Sequence, residues 1–209
     1  MASNLGHQLI SAGGFFILPV QGTPRELGTK KEVFSVNKAG ARFLSEVAMS
    51  AALSMVLSLL VFYRLPQGGT ITFAMLPIFF LAYRRGVWWG LASGVVAGAL
   101  QMIVDPYFVH PIQVTLDYFL AWGALGLAGL FSRMASKTPV GVILGLVVGT
   151  AGRFIFHYLS GVWFFAQFAP AGMALWYYVT TYILSHLLPQ AALCLVLLVP
   201  SLRRLYVTG

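Results

Sequence analysis

A chain of 209 residues that is 59% hydrophobic and only 9% charged lies far from soluble domains, in which about a quarter of residues carry charge. Apolar runs of membrane-crossing length recur along it, and the absence of period-two alternation argues against a transmembrane barrel. The formal net charge of +8 would suggest nucleic acid in a soluble protein. Here the bases stand at the ends of apolar runs, where they set topology, and no nucleic-acid partner is expected.

The lone Cys194 excludes an internal disulfide and a cysteine-based metal site. No Walker A loop and no strand-linked GxGxxG occurs, so the chain shows no means of hydrolysing ATP itself. His110, His157 and His186 make no HExxH pair or other local metal spacing, and no GxSxG elbow is present. Beyond the N-terminal region only Glu46, Asp105 and Asp117 are acidic. The expectation is a protein that is not an enzyme, with no cofactor and no metal.

Residues 1–41 hold Arg25, Glu26, Lys30, Lys31, Glu32 and Lys38 among scattered Gly and Pro. Residues 8–20 are apolar but too short to span, the start lacks the positive charge of a signal peptide, and no A-x-A site follows. This part reads as an N-terminal cytoplasmic extension of unassigned function, and residues 42–209 as a six-helix transmembrane domain that binds substrate.

The first span is expected at about 44–63. It contains Ala48 and Ala52 in a small-xxx-small pattern that lets another helix approach closely, either from this chain or from a partner. After the turn-rich 65–69, a short second span at about 70–83 is broken by Pro77, and such interrupted segments often flank binding sites. The third, about 87–104, carries Gly90, Gly94 and Gly98 at four-residue steps, a smooth packing seam. The fourth, about 114–131, carries Asp117 near its start. The fifth covers about 140–165, and the sixth about 174–199, ending at Pro200.

Lys and Arg alternate between connections. There are five through Arg42, then Arg64, then Arg84 with Arg85, none in 105–113, then Arg133 with Lys137, none in 166–172, and Arg203 with Arg204. This fits six helices with both termini in the cytoplasm of a prokaryotic cell membrane.

Chemistry-bearing side chains gather in 150–186. Arg153 and His157, four apart, share a helix face. Tyr178, Tyr182 and His186 repeat at the same step. An ionisable group inside a span points to a functional site with a partner to be named. Asp117 is the candidate partner of Arg153, as a structural pair or one linked to a ligand. Trp163, Phe165, Tyr178 and Tyr182 can stack on a flat or cationic ligand, at about 0.5–2 kcal/mol each.

Several segments, in order and with matching spacing across about 44–199, resemble the thiamin-specific S components (the ThiT/YuaJ family) of energy-coupling-factor (ECF) vitamin transporters. They are LPQGGTITFAMLP from Leu65, Arg84-Arg85-Gly86, VHPIQVTLDY from Val109, GLAGLF from Gly126, RFIFHYLSG from Arg153 and GMALWYY from Gly172. The resemblance implies a six-helix bundle that captures thiamin, or a close relative, from outside and delivers it with a shared T subunit and two ATPases. It implies ligand contacts at His157 and Tyr178, with Phe165 in place of a stacking tryptophan, and a T-subunit contact at Ala48 and Ala52. Two positions depart from it. Ala74 stands for a glutamate and Ile183 for an asparagine, each a lost polar contact worth roughly 1–3 kcal/mol. Gln67, Gln113, Thr181 or Tyr182 compensates, or the ligand is a thiamin relative or precursor. The competing expectation is a self-sufficient proton-coupled secondary transporter using Asp117, Arg153 and His157.

Overall fold

The computed structural model describes residues 38–65 and 69–207, with side chains through Arg204. The N-terminal extension up to Asn37 and Gln67 lie outside the described residues. Among the described residues the fold is all α apart from one hairpin of two-residue strands. In chain order it runs α1 (Lys38–Leu59), β1 (Tyr63–Arg64), β2 (Thr70–Ile71), α2 (Leu76–Arg85), α3 (Val87–Val104), α4 (Pro111–Ala135), α5 (Pro139–Phe164) and α6 (Leu175–Val207). Five of these helices, all but α2, are long and apolar enough to cross a bilayer.

The second element differs from its sequence reading. Thr70 and Ile71 are not helical but pair antiparallel with Arg64 and Tyr63. Pro77 does not break a span. It sits in the first turn of α2, where its missing N–H has no helical partner to lose. The resulting helix has ten residues, about 15 Å or half the hydrocarbon thickness. It is nevertheless the centre of the bundle, since Ile78, Phe79, Ala82 and Tyr83 are essentially inaccessible. The Tyr83 hydroxyl donates to the carbonyl of Val142 in α5 at 2.6 Å. At its far end Arg85 makes a two-pronged contact with Glu46 of α1, at 2.6 and 2.7 Å, the strong form of an arginine–carboxylate pair. Gly86 then turns the chain into α3 at φ 97°, a left-handed conformation that favours glycine.

The glycine seam on α3 is present as expected. A Cβ on Gly90 would meet Gly126 of α4, one on Gly94 the backbone of Trp122 and Gly123, and one on Gly98 the carbonyl of Tyr118. Where no solvent drives apolar helices together, backbone proximity of this kind supplies the packing. The facing helix α4 is irregular. It starts on Pro111, capped by the His110 ring accepting from the Ile112 N–H at 3.2 Å. It widens to a π-helical stretch at Thr115–Leu120 and tightens to a 3-10 stretch at Leu125–Phe131. Helix α6 does not stop at Pro200; it continues through Pro189 and Pro200 to Val207.

On α1 the buried face is Val47, Ala51, Ser54 and Ser58, and the Ser54 hydroxyl donates to the Ala74 carbonyl at 2.6 Å. Ala48 and Ala52 are exposed. The small pair therefore packs against no helix among the described residues.

These contacts set a contrast measurable by thermal unfolding in detergent. Gly98→Ala pushes a methyl into the Tyr118 backbone and is expected to cost about 1–3 kcal/mol. Ala48→Val, on the exposed face, is expected to stay within about 0.5 kcal/mol of the parent.

Candidate ligand-binding site

The π-helical stretch places Asp117 where a regular helix would not, and such bulges frequently mark functional positions. Its carboxylate takes three side-chain contacts. The His157 Nδ1 lies 2.9 Å from Oδ1, while the Ser160 hydroxyl and the Gln113 amide donate to Oδ2 at 2.7 and 2.8 Å. Arg153 Nε then donates to His157 Nε2 at 3.2 Å. One protonation state satisfies both imidazole contacts: neutral, with the proton on Nδ1. The Arg153 guanidinium also lies over the Trp122 ring, 4.1 Å from its centroid, a cation–π contact.

The expected direct pairing of Asp117 with Arg153 is thus corrected. His157 stands between them, because it shares the Arg153 face of α5 one turn on and reaches the carboxylate first. Among the described residues, only Nε of the five Arg153 N–H donors has a hydrogen-bond acceptor, although the residue is 7% exposed.

This network borders a cavity of about 590 Å³, within the range of small-molecule sites. On the α6 side Tyr178 and Tyr182 stack with centroids 6.4 Å apart and planes 16° from parallel, and His186 follows at 5.4 Å. Phe165, at the end of α5, leans on Tyr107 at 5.5 Å and Phe168 at 6.1 Å. Ala74, just before α2, and Ile183 complete buried apolar wall. The hairpin closes another side. The Gln190 amide of α6 donates to the Thr70 carbonyl at 2.7 Å, and Gly69 lies so close to His186 that a Cβ there would come within 2.9 Å of Nδ1.

Of the residues singled out from the sequence, His157, Tyr178, Phe165, Tyr182, Ala74, Ile183, Arg153 and Asp117 all line this one cavity, as does Gln113. Trp163 does not. It is 62% exposed, because six residues beyond His157 the helix has turned it roughly a third of a turn away. Thr181 is exposed as well, its hydroxyl tied to the Tyr177 carbonyl. The sequence reading missed Ser160, Trp122, Gln101 and Gln190. Ser160 alone left a signal, three residues after His157 on the same face.

The helices define a multi-pass membrane protein, with a partly polar cavity of small-molecule size between them. Residues 44–207 match the family model described as thiamine transporter protein (Thia_YuaJ), and the chain belongs to that family. The thiamine transporter ThiT of Bacillus subtilis (strain 168) is 34% identical over 167 residues, covering 74% of this chain and 87% of that protein. The thiamine transporter ThiT of Lacticaseibacillus paracasei is 28% identical over 146 residues, covering 64% and 73%. Among solved structures, ThiT from Listeria monocytogenes superposes with a TM-score of 0.66 at 22% identity, over 82% of this chain and 97% of that one. The S component of a bacterial ECF transporter superposes at 0.54 and 18% identity, over 79% and 96%. The protein is thus a multi-pass protein of the cell membrane with the fold of these two solved structures.

Removing the Asp117 carboxylate leaves the Ser160 and Gln113 donors and the His157 proton without an acceptor. Asp117→Ala is expected to cost at least about 2 kcal/mol, read as a lower unfolding midpoint in detergent, with Asp117→Asn recovering part of it. An unchanged midpoint for the alanine variant would show that the network does not join α4 to α5.

Proposed function

We propose that this chain is the substrate-capturing S component of an ECF-type vitamin importer, binding thiamin or a close thiamin-related compound from the outer side. The observation that carries the reading is the convergence of His157, Tyr178, Tyr182, Phe165, Ala74 and Ile183 on one cavity. Stacked tyrosines offer flat faces to a heteroaromatic ring, and the intramembrane Asp117–His157–Arg153 chain supplies polar groups in surroundings where they are costly without a use. Family membership and the named thiamine transporters among its relatives support the same ligand class. In this reading both termini are cytoplasmic, which fits the Lys and Arg alternation. The hairpin side of the cavity then faces outward.

Delivery requires a motor, which this reading assigns to a T subunit and two ATPases. Ala48 and Ala52, exposed on α1, are the surface on which the T subunit docks. A second reading, proton-coupled transport without a module, draws on the same Asp117–His157–Arg153 chain, whose members sit within hydrogen-bonding distance inside the membrane.

Three measurements test these readings. Titration of the purified full chain in detergent with thiamin and related compounds, followed by tryptophan fluorescence, is expected to show saturable quenching; silence from all of them would remove the capture role. Ala52→Trp is expected to leave that binding intact and to abolish uptake in vesicles containing the T and ATPase subunits. Uptake in vesicles lacking those subunits, collapsed by a protonophore, would favour the secondary transporter.

A further inference from the structure

The cavity opens at the start of α2. The other end of that helix has no assigned role, and the cations gathered there are unequally matched. Glu46 is the one acid at that end among the described residues, and it is taken by Arg42 and Arg85. Arg84, Arg133 and Lys137 are exposed, and among the described residues none of the three has an ion pair or a side-chain hydrogen bond. Backbone packing brings their segments to one corner. A Cβ on Gly129 would meet the backbone of Gly86 and Val87, so α4, one turn before Arg133, lies against the turn that follows Arg84 and Arg85. A Cβ on Gly141 would meet Met134 and Ala135, so the start of α5 folds back on the end of α4 and Lys137 sits in the tight connection between them. Each cation also has an exposed apolar residue three or four positions further into the bundle: Trp88 for Arg84, Leu130 for Arg133 and Val140 for Lys137. Trp88, at 79%, is the most exposed of the large apolar side chains.

We propose that this corner binds the headgroup of an anionic phospholipid, with the phosphodiester among Arg84, Arg133 and Lys137 and an acyl chain along Trp88, Leu130 and Val140. The order of charge, then indole, then aliphatic surface is the order of a lipid read from head to tail, and Trp is favoured at that boundary. Guanidinium groups take phosphate oxygens two at a time, and the lysine adds a point charge. Basic groups between helices at this depth recognise anionic headgroups. Topology alone would make every basic connection equivalent. The α1 side of the same end is instead neutralised by Glu46, so the preference belongs to one corner. An acidic protein segment would answer the three charges but not the apolar residues beneath them. In the topology proposed above the leaflet is the inner one; the lipid class does not depend on what the cavity binds.

The test uses the purified full chain in symmetric phosphatidylcholine vesicles that contain a small fraction of brominated phosphatidylglycerol or brominated phosphatidylcholine, with quenching of tryptophan fluorescence as the readout. Reconstitution of folded protein keeps insertion topology out of the comparison. A cation near a headgroup is worth about fivefold in association, so the parent is expected to favour the phosphatidylglycerol by roughly tenfold to a hundredfold. The triple variant Arg84→Gln, Arg133→Gln, Lys137→Gln is expected to bring the two lipids within about twofold of each other, while Arg42→Gln keeps the preference. Trp88→Phe is expected to remove the larger part of the quenching difference. Equal quenching of the parent by the two lipids would overturn the proposal and leave the corner to an acidic protein partner. An equal loss of preference in Arg42→Gln and in each single corner variant would overturn it too, since the attraction would then be spread over the whole end. The parent comparison decides the matter even if the triple variant fails to fold.

Discussion

A carboxylate in the middle of a membrane protein cannot stand unanswered, and the arrangement of this bundle follows from how Asp117 is answered. Its partners come from a turn earlier on α4 and from two positions on α5. The contacts therefore hold those helices in one register and fix the His157 ring at the same time. Buried charges of this kind are valuable for the arrangement they enforce more than for raw stability. Here the enforced arrangement is a guanidinium with one nitrogen tied down, one face against Trp122 and an edge left over.

The glycine seam makes that arrangement reachable. With Gly90, Gly94 and Gly98 against the α4 backbone, α3 and α4 approach more closely than larger side chains allow. Trp122 is drawn into the interior beneath Arg153. The irregularity of α4 belongs to the same solution. Its widened stretch carries Asp117 and its tightened stretch follows Trp122, so one helix meets both the seam on α3 and the polar face of α5.

Much of this was legible in the sequence. Hydropathy located the five long helices, four-residue spacing gave the glycine seam and the Tyr178–Tyr182–His186 row, and the shared face of Arg153 and His157 was read correctly. What escaped has physical causes. Pro77 reads equally well as a helix breaker or a helix starter, and only the pairing of Thr70 and Ile71 with the preceding strand decides it. Asp117 meets His157 across 40 positions of chain, on a helix whose period is locally not 3.6, so no wheel projection finds the contact. Trp163 was drawn into the site by its neighbourhood in sequence, whereas its angle on α5 turns it outward. Gln190 gave no sign of its role, since its partner is a backbone carbonyl, which every residue has.

The short central helix has a volumetric consequence. A full-length sixth helix would fill the hydrocarbon beside α5 and α6, but α2 supplies only ten residues. Leaving out the other 15 Å or so of a cylinder about 10 Å across vacates roughly 1,200 Å³. The cavity of about 590 Å³ opens on the start of that helix, at Thr70, Thr72 and Ala74, and the hairpin takes up part of the rest. The pocket is thus a helix that stops halfway, and its capacity is set by where α2 begins. Each residue added to that end would displace about 1.5 Å of ligand length, so the size of the cargo is encoded in the start position of the helix as well as in the identity of the lining side chains.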